Sequence, residues 1–566
     1  MRRISLFVAA IAMILIANVT FAQSTSGDLV GTVKDPTGAI IPNASVTVTN
    51  EATGVAVSIN SGESGEFRAK NLLPGSYDLV VSSAGFQPYT LHGITVELNK
   101  TSTTNVTMTI GANATVEVSA QAGVALDTTS TNLTQSFSTT ELTNLPSTSS
   151  GGSTGFGVLN ASLLSPGIAS SGGIGIGIGP SIGGQRPRNN NFTIEGIDNN
   201  NKAVTGPLVY IPNDSVQSFT LITNQFSPEF GHSSGGQFNS EVVSGTNQFH
   251  GRVYEYFQNR NLNAESGTEG GKPAVNPRFD NNRYGGQVGG PILRNKLFFF
   301  GNYERNTIGQ NPAIFSCVPT ATGLTMLKNL GSSYNFNTNN LAQYVKYTPA
   351  ANITGPGGGP INAAQDQSCG NSSTGPQYLA VYQGTAFDSN SGIYGGASPF
   401  TNIPLGNYQS TAGAPSNFDV VTTSIDYTIS NKDNFRGRYI YNRLSDTDTN
   451  TFTIPFPVFF TPEPFRYQLV ALSEYHTFTP NLTNEFRVGY NRYSNSLTAG
   501  NFSYPGLDQF PNLVFDDQGF VNLGPDQNAP QFTIQNLYQV TDNVSYVKGR
   551  HTFTIGFDGR KYISPQ

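Results

Sequence analysis

The residues to test first for chemistry are the five histidines, His92, His232, His250, His476 and His551. Imidazole can serve as a general base and as a metal ligand. None of the five stands in the His-Glu-x-x-His spacing that sets two imidazoles on one helix face, and none in a His-x-x-Glu-His array. Serine is abundant, but no Gly-x-Ser-x-Gly elbow links a strand to a helix, so no hydroxyl has the frame that activates it. The glycine run GGIGIGIGP (172–180) lacks GxGxxG spacing and a Lys-Ser/Thr ending. It offers no phosphate cradle and reads as a flexible or bent strand segment. Cys317 and Cys369 are the only cysteines and fall in one long polar region. In an exported chain such a pair fits a loop-stapling disulfide better than a metal site or a catalytic thiol, with two unpaired thiols as the alternative. These patterns point to no enzyme, no metal site and no cofactor, so function must lie in surfaces.

The elements that would carry such surfaces follow from composition. Only 12% of the 566 residues are charged, about half the usual share for a soluble globular protein. Asn, Thr, Ser, Gly and Tyr fill the gap, with 62 Gly, 25 Tyr, 37 Phe and no Trp. That suits a β-rich chain with many turns and polar, uncharged faces, and it differs from the charge-rich, aromatic-poor composition of disorder. A net charge of −6 without a basic patch gives no footprint for nucleic acid. The first residues, MRRISLFVAAIAMILIANVTFAQ, carry two arginines, an apolar run from Ile4 to Ala17, and small residues at Thr20 and Ala22. They read as a signal peptide over 1–22. No later window approaches 18 continuous apolar residues, so a membrane-embedded form would have to be a barrel.

From 27 to 111 short alternating strands are separated by Pro/Gly turns such as Asp35-Pro36-Thr37-Gly38, which predicts a β-sandwich. Gly31, Val33, Asp35, Gly38, Ile41, Pro42, Ala44 and Val46, followed by Gly65, Phe67, Leu72, Pro74, Gly75, Tyr77 and Phe86, resemble the carboxypeptidase regulatory-like (transthyretin-like) domain. The resemblance implies a non-catalytic module, with Phe67 and Tyr77 facing its core.

Between 112 and 247 the texture changes. Thr139 or Thr140 could cap a short helix carrying Leu142 and Leu145. Gln185, Arg186, Asn190, Phe192, Ile194, Gly196, Ile197 and Asp198 form an ordered run, and Val216, Phe219, Phe226, Glu229, Phe230, Gly231, Gly235, Gly236 and Ser244 to Asn247 form another. Together they resemble the plug domain of TonB-dependent outer-membrane receptors of the Oar-like subgroup, which places a regulatory-like sandwich before the plug. Two departures stand out. Leu145-Pro146 is followed by no Gly-Arg-Asn-like turn, and Glu195 stands where the family more often has Asp. The resemblance also makes Thr115, Val116, Glu117, Val118 and Ser119 a TonB-box-like strand for a periplasmic TonB-type energy-transducing protein. A plain linker strand explains those five residues equally well. Arg186, Arg188, Glu195 and Asp198 are candidates for polar contacts to the ligand or barrel wall, against a reading as turn formers and solvated arginines.

From 248 onward, segments of about ten residues alternate apolar and polar with terminal aromatics, as transmembrane barrel strands do. In NEFRVGYNRY, Phe486, Val488 and Tyr490 share one face, and Arg487, Gly489 and Asn491 the other. SNKD (430–433) and TPN (479–481) suit tight periplasmic turns, whereas polar stretches at about 305–417 and 495–535 suit extracellular loops. The expected fold is therefore mainly β: an N-terminal β-sandwich over 27–111, an α+β plug with its linker over 112–247, and a partial antiparallel transmembrane β-barrel over 248–566. Roughly nine or ten strands are readable, too few to enclose a plug, which barrels of about 22 strands hold. The chain is accordingly expected to be a receptor lacking the C-terminal part of its barrel. The expected partners are a TonB-type protein, outer-membrane lipid and an extracellular ligand (carbohydrate, siderophore or peptide). The alternative function is a surface scaffold, adhesion or export-accessory protein without nutrient uptake.

Overall fold

A computed structural model describes residues 26–111, 116–119, 132–144, 157–169, 179–202, 206–226, 228–231, 233–262, 278–311, 315–334, 338–362, 369, 376–382, 387–388, 393–394, 400–410, 412–449, 456–479, 481–513, 523–548 and 551–564. The proposed signal peptide, Thr115, Leu145 and most of the glycine run lie outside these residues.

Period-two alternation builds the first unit. Strands β1 (Gly27–Lys34), β2 (Ser45–Asn50), β3 (Ala56–Asn60), β4 (Glu66–Leu72), β5 (Gly75–Ser82), β6 (Tyr89–Val96), β7 (Thr101–Thr103), β8 (Val106–Thr107) and β9 (Val116–Ser119) form two sheets. One has the order β4-β1-β7, with β8 also on β1, and the other β3-β2-β5-β6-β9. Leu29 and Val33 on β1 meet Val46, Val48, Phe67, Tyr77 and Leu79 in one apolar core. The β1 exit turns sharply because the Asp35 carboxylate accepts the amides of Thr37 (2.8 Å) and Ala39 (2.9 Å).

The second unit is a five-stranded mixed sheet, β10-β13-β14-β11-β12, made of β10 (Leu133–Ser138), β11 (Asn191–Ile194), β12 (Ile197–Asp198), β13 (Val216–Asn224) and β14 (Gln237–Val242). Helix α1 (Thr139–Asn144) follows β10 directly. Its cap is Ser138, one residue upstream of the expected threonines. The reason is a capping box: Ser138 N donates to Glu141 Oε2 (2.7 Å), and Glu141 N donates to Ser138 Oγ (3.4 Å). The apolar core of this sheet continues into the strands of the third unit. Phe192 stacks on Phe238 at 4.6 Å, and Ile197 and Phe219 share a cluster with Val420, Ile440, Leu469 and Tyr493.

The third unit is a nine-stranded antiparallel meander. Its strands are β15 (His250–Asn259), β16 (Phe279–Leu293), β17 (Leu297–Gln310), β18 (Ser416–Ser430), β19 (Asp433–Asp448), β20 (Thr461–Thr479), β21 (Leu482–Leu497), β22 (Gln531–Lys548) and β23 (His551–Ile563). Each pairs with its sequence neighbour, and the sheet is open between β15 and β23. The faces segregate as the alternation requires. Phe486, Val488, Phe553 and Ile555 are exposed on the outer face, while Arg487, Asn491 and Asp558 are buried on the inner one. Among the described residues, no helix is long and apolar enough to cross a membrane.

One end of this sheet has short turns, Arg294 to Lys296 and Asn431–Lys432. The other end departs from the loops expected there. Strand β17 runs on to Gln310, and helices α2 (Ala321–Tyr334) and α3 (Thr338–Tyr347) fold into a cap. Val318, Leu327 and Tyr344 share a core with Phe456, Phe459, Phe510 and Leu523 from two later connections. Aromatic residues spaced through polar sequence carry no period, so this core leaves no pattern along the chain. The Cys317–Cys369 disulfide lies within it.

Candidate functional site

The site is the seam where the second unit, called the plug below after the resemblance, meets the inner face of the nine-stranded sheet, the wall. Strands β11 and β12 are joined by the two-residue turn Glu195-Gly196, with φ of 51° and 68°. Positive φ at both central residues is the type I′ arrangement, which matches the twist of a tight hairpin. Asp or Asn tolerates the first position better than Glu does, which gives physical content to the Glu195 departure. What the turn achieves is placement: it projects Glu195 at its tip and Asp198 just behind, both against the wall.

Glu195 is buried and accepts from Val242 N (2.8 Å) and from Arg438 Nε (3.2 Å). Arg438 on β19 also donates through Nη2 to Asp426 Oδ1 (2.9 Å) on β18 and to Ser244 Oγ (3.2 Å). Ser244 donates to the other Asp426 oxygen (2.7 Å), and Ser424 Oγ donates to Val243 O (2.8 Å). One guanidinium thus ties the plug hairpin, the plug exit and two wall strands together. Glu241 on β14 is buried nearby, with one carboxyl oxygen accepting no hydrogen bond. Burial first, and then the Glu195 carboxylate, push its pKa well above the ordinary 4.5, against the pull of Arg436, Arg438 and Arg487.

Asp198 forms the second ionic centre. Its Oδ2 accepts from Arg560 Nη1 (2.7 Å) and Tyr562 Oη (2.5 Å) on β23, and Oδ1 accepts from Asn200 N (2.8 Å). Burial disfavours its charge, but the Arg560 guanidinium, the Lys202 ammonium and the Tyr562 hydroxyl outweigh it and hold the pKa below 3.8. Such a group stabilises the fold above the ordinary carboxylate range, and that stability is lost as pH falls through the depressed value. Asp198→Asn is expected to cost about 2 kcal/mol near neutral pH, as loss of a charged hydrogen bond does. The wild-type advantage should vanish on acidification, read as the heat-modifiability midpoint across a pH series. An equal midpoint for both proteins at neutral pH would remove Asp198 from the holding set.

Between these centres the contacts are neutral. Asn442 takes both main-chain groups of one plug residue, accepting from Tyr210 N (2.8 Å) and donating to Tyr210 O (3.1 Å). Gln539 accepts from Asp198 N (2.9 Å) and donates to Gly196 O (3.3 Å), and Gln535 accepts from Lys202 N (3.1 Å) and donates to Asn200 O (3.1 Å). Asn491 adds a bond to Asp198 O at 3.0 Å. All four wall amides are buried.

Not every candidate meets the seam. Arg186 and Arg188 flank Pro187 in an exposed turn, and the ion pairs of Glu195 and Asp198 are made with Arg438 and Arg560 instead. Val116 to Ser119 form β9, paired in parallel with β6 of the sandwich. Arg438, Glu241, Asp426, Arg560 and the wall amides Asn442, Gln535 and Gln539 were not singled out from sequence, whereas Asn491 was placed on the polar face of its strand. Their signal was an ionic or amide residue at inward positions of otherwise uncharged strands, as in RGRYIYNR. Elsewhere, Asp433, Glu474 and His476 converge near the short-turn end, with ligand atoms within 4.8 Å of one another. The His476 Nδ1–Asp433 contact of 2.5 Å accounts for that cluster as a cross-strand pair.

The plug leaves through Ser244-Gly245-Thr246-Asn247. No helix, strand or hydrogen-bonded turn covers 244–246, and the chain bends at Asn247. A Cβ on Gly245 would lie 2.3 Å from Phe299 O and 2.9 Å from Gly290 O, so only glycine passes over β16 and β17. Asn247 then meets the sandwich: its N–H donates to Ala52 O (2.9 Å), its side chain donates to Thr53 O, and its Oδ1 accepts from Asn295 N (2.8 Å) in the β16–β17 turn.

Residues 28–109 match the profile of the carboxypeptidase regulatory-like domain. The TonB-dependent transporter Oar of Myxococcus xanthus is 29% identical over 308 residues, covering 52% of this chain and 28% of that protein. The chain therefore spans less than a third of that relative's length. Among solved structures it is similar to the outer membrane transporter YddB from Escherichia coli (TM-score 0.45, 11% identity, 76% of this chain and 48% of that one). It is also similar to the siderophore receptor PirA from Acinetobacter baumannii (TM-score 0.43, 10% identity, 75% and 47%). Residues 241–566 match the profile of the outer membrane beta barrel domain, and with more than half of its length inside that match the chain belongs to the outer membrane β-barrel family.

Proposed function

We propose that this chain is part of a TonB-dependent outer-membrane receptor that takes up an extracellular ligand past a plug. In this reading residues 1–22 direct export, 27–111 form a periplasmic sandwich, 112–247 hold the tether and plug, and 248–566 contribute barrel wall. The observation that carries it is the seam. A sheet with a lipid-compatible outer face holds a separate plug through buried ion pairs and main-chain amide contacts, a grip that closes a pore and can be undone. The relative's transport role and the plug resemblance support the same assignment. Residues 115–119 are the segment on which the TonB-type protein pulls, pairing through main-chain hydrogen bonds. Deleting 114–120 is expected to abolish proton-gradient-dependent uptake and capture by that protein's periplasmic domain, while the chain still inserts in the membrane. Undiminished capture and uptake by the deleted protein would rule the tether out.

A further inference from the structure

We propose that the layer between cap and plug recognises an organic cation, an ammonium or guanidinium group of the extracellular ligand, with Glu463 as its main acceptor. The proposal rests on the reading of the chain as a receptor and names the chemistry of what it takes.

The wall register lays the site out in rows. Asn442, Tyr467, Tyr493 and Gln535 stand opposite one another on β19 to β22. Asn442 and Gln535 are amides that hold the plug. The next inward row toward the cap is Leu444, Phe465, Asn495 and Thr533. Beyond it Asp446 faces Glu463, and Asp448 faces Thr461. The plug's apolar cluster reaches Tyr467 and Tyr493, with Phe465 packed on it, while Phe456, Phe459 and Leu523 belong to the cap's cluster. The acidic row thus lies between two apolar cores, with Asp448 and Asp526 buried and Glu463 half-buried.

Three observations point to a cation there. First, like charges directly opposite on paired strands destabilise the pair, and Asp446 and Glu463 are so placed. The charges of Asp448 and Asp526 bear on Glu463 as well. On the cap side of the Asn442 row, the inward positions of β19 to β22 carry no Lys, Arg or His. Among the described residues Glu463 accepts one hydrogen bond, from Asn495 Nδ2 (2.9 Å). Second, Tyr467 is 2% exposed and its hydroxyl has no hydrogen-bond partner, an arrangement that costs free energy when nothing fills it. The charges of Glu463 and Asp446 reach that hydroxyl, which sets it on the acidic side. Third, the rings of Phe465, Tyr467 and Tyr493 stack, with centroids 5.3 to 6.5 Å apart, and ring faces attract cations.

The form of the cation follows from spacing. Among the described residues these carboxylates do not converge as single-ion ligands do, in contrast to Asp433, Glu474 and His476. An extended cation with an apolar stem fits instead. Its N–H groups donate to Glu463 and Asp446 and to the Tyr467 oxygen, and its methylenes lie along the rings.

Trilysine and triarginine are the probes, with Nε-acetylated trilysine as the neutral counterpart, titrated calorimetrically into the full chain in lipid nanodiscs. The wild type should bind a cationic probe and bind the acetylated peptide at least about tenfold more weakly, the worth of one charged hydrogen bond. Glu463→Gln keeps an acceptor for Asn495 and should also lose about tenfold. Tyr467→Phe keeps the ring and should lose about fivefold, as for a neutral hydrogen bond. Glu63→Gln, the same charge change at an exposed sandwich position, should bind as the wild type does, which separates the site from general attraction to an acidic protein. Binding of neither cationic probe, equal binding of the acetylated peptide, or equal affinity in Glu463→Gln and Glu63→Gln overturns the site. The titration uses no TonB-type protein and no proton gradient. A chain that binds the probes as expected but shows no gradient-dependent uptake would overturn the receptor reading and leave the cation site standing.

Discussion

Replacing Arg438 with Met is expected to loosen the plug by about 3–5 kcal/mol, the cost of removing one member of a buried ion pair. Met keeps the stem and removes the guanidinium, so Glu195 and Asp426 would be left buried beside one another without their common cation. The Ser244 contact at the plug exit is lost in the same step. The expected result is a large drop in the urea midpoint for protease protection of the plug, with the outer-face strands keeping their β signature. Adding Glu195→Gln should recover part of the loss, because the uncompensated charge is then gone. The double-mutant cycle reads that coupling directly. A midpoint unchanged in Arg438→Met would mean that the seam is held elsewhere.

Gly245→Val should be nearly as damaging, and for a different reason. The added Cβ would collide with main-chain atoms of Phe299 and Gly290. Those atoms belong to a paired ladder, Gly290 opposite Phe299, and cannot yield as a flexible side chain would. The connector must lift off the wall, at about 3 kcal/mol, the upper end of overpacking costs. Rapid trypsin cleavage after Arg252, just beyond the lifted connector, is the measurement. Wild-type resistance in the variant would contradict this account.

Much of the scaffold was legible in the sequence because strands with one lipid-facing and one polar face must alternate. Phe486 and Val488 outward, with Arg487 and Asn491 inward, follow from period two alone. The cap of α1 was misplaced by one residue because three hydroxyls stand in a row at 138–140; Glu141, three residues after Ser138, was the deciding signal. The seam was only half legible. Arg436 and Arg438 lie two apart on a strand, so their shared inward face could be inferred. Which plug residue meets Arg438 could not, since Glu195 lies 243 positions away and no local pattern links them. Arg186 and Arg188 are exposed beside Pro187, and the ion pairs of the seam use neither, so the seam does not draw on that half of the candidate set.

The wall amides have a consequence for what kind of sequence the plug can carry. Asn442, Gln535 and Gln539 each offer a carbonyl and an NH₂ group to peptide groups of the plug, much as a neighbouring strand would. A peptide group looks the same whatever side chain it bears. The lining therefore recognises the plug's path and not its residues, and substitutions along 196–210 that keep the backbone course leave this part of the grip intact. The same neutrality governs release. When such a pair separates, water can take either half without any charge being stranded, and the next peptide group along presents the same donor and acceptor. The plug's course along the wall is thus specified like a rail, while its position on that rail is fixed by the ion pairs of Glu195 with Arg438 and of Asp198 with Arg560.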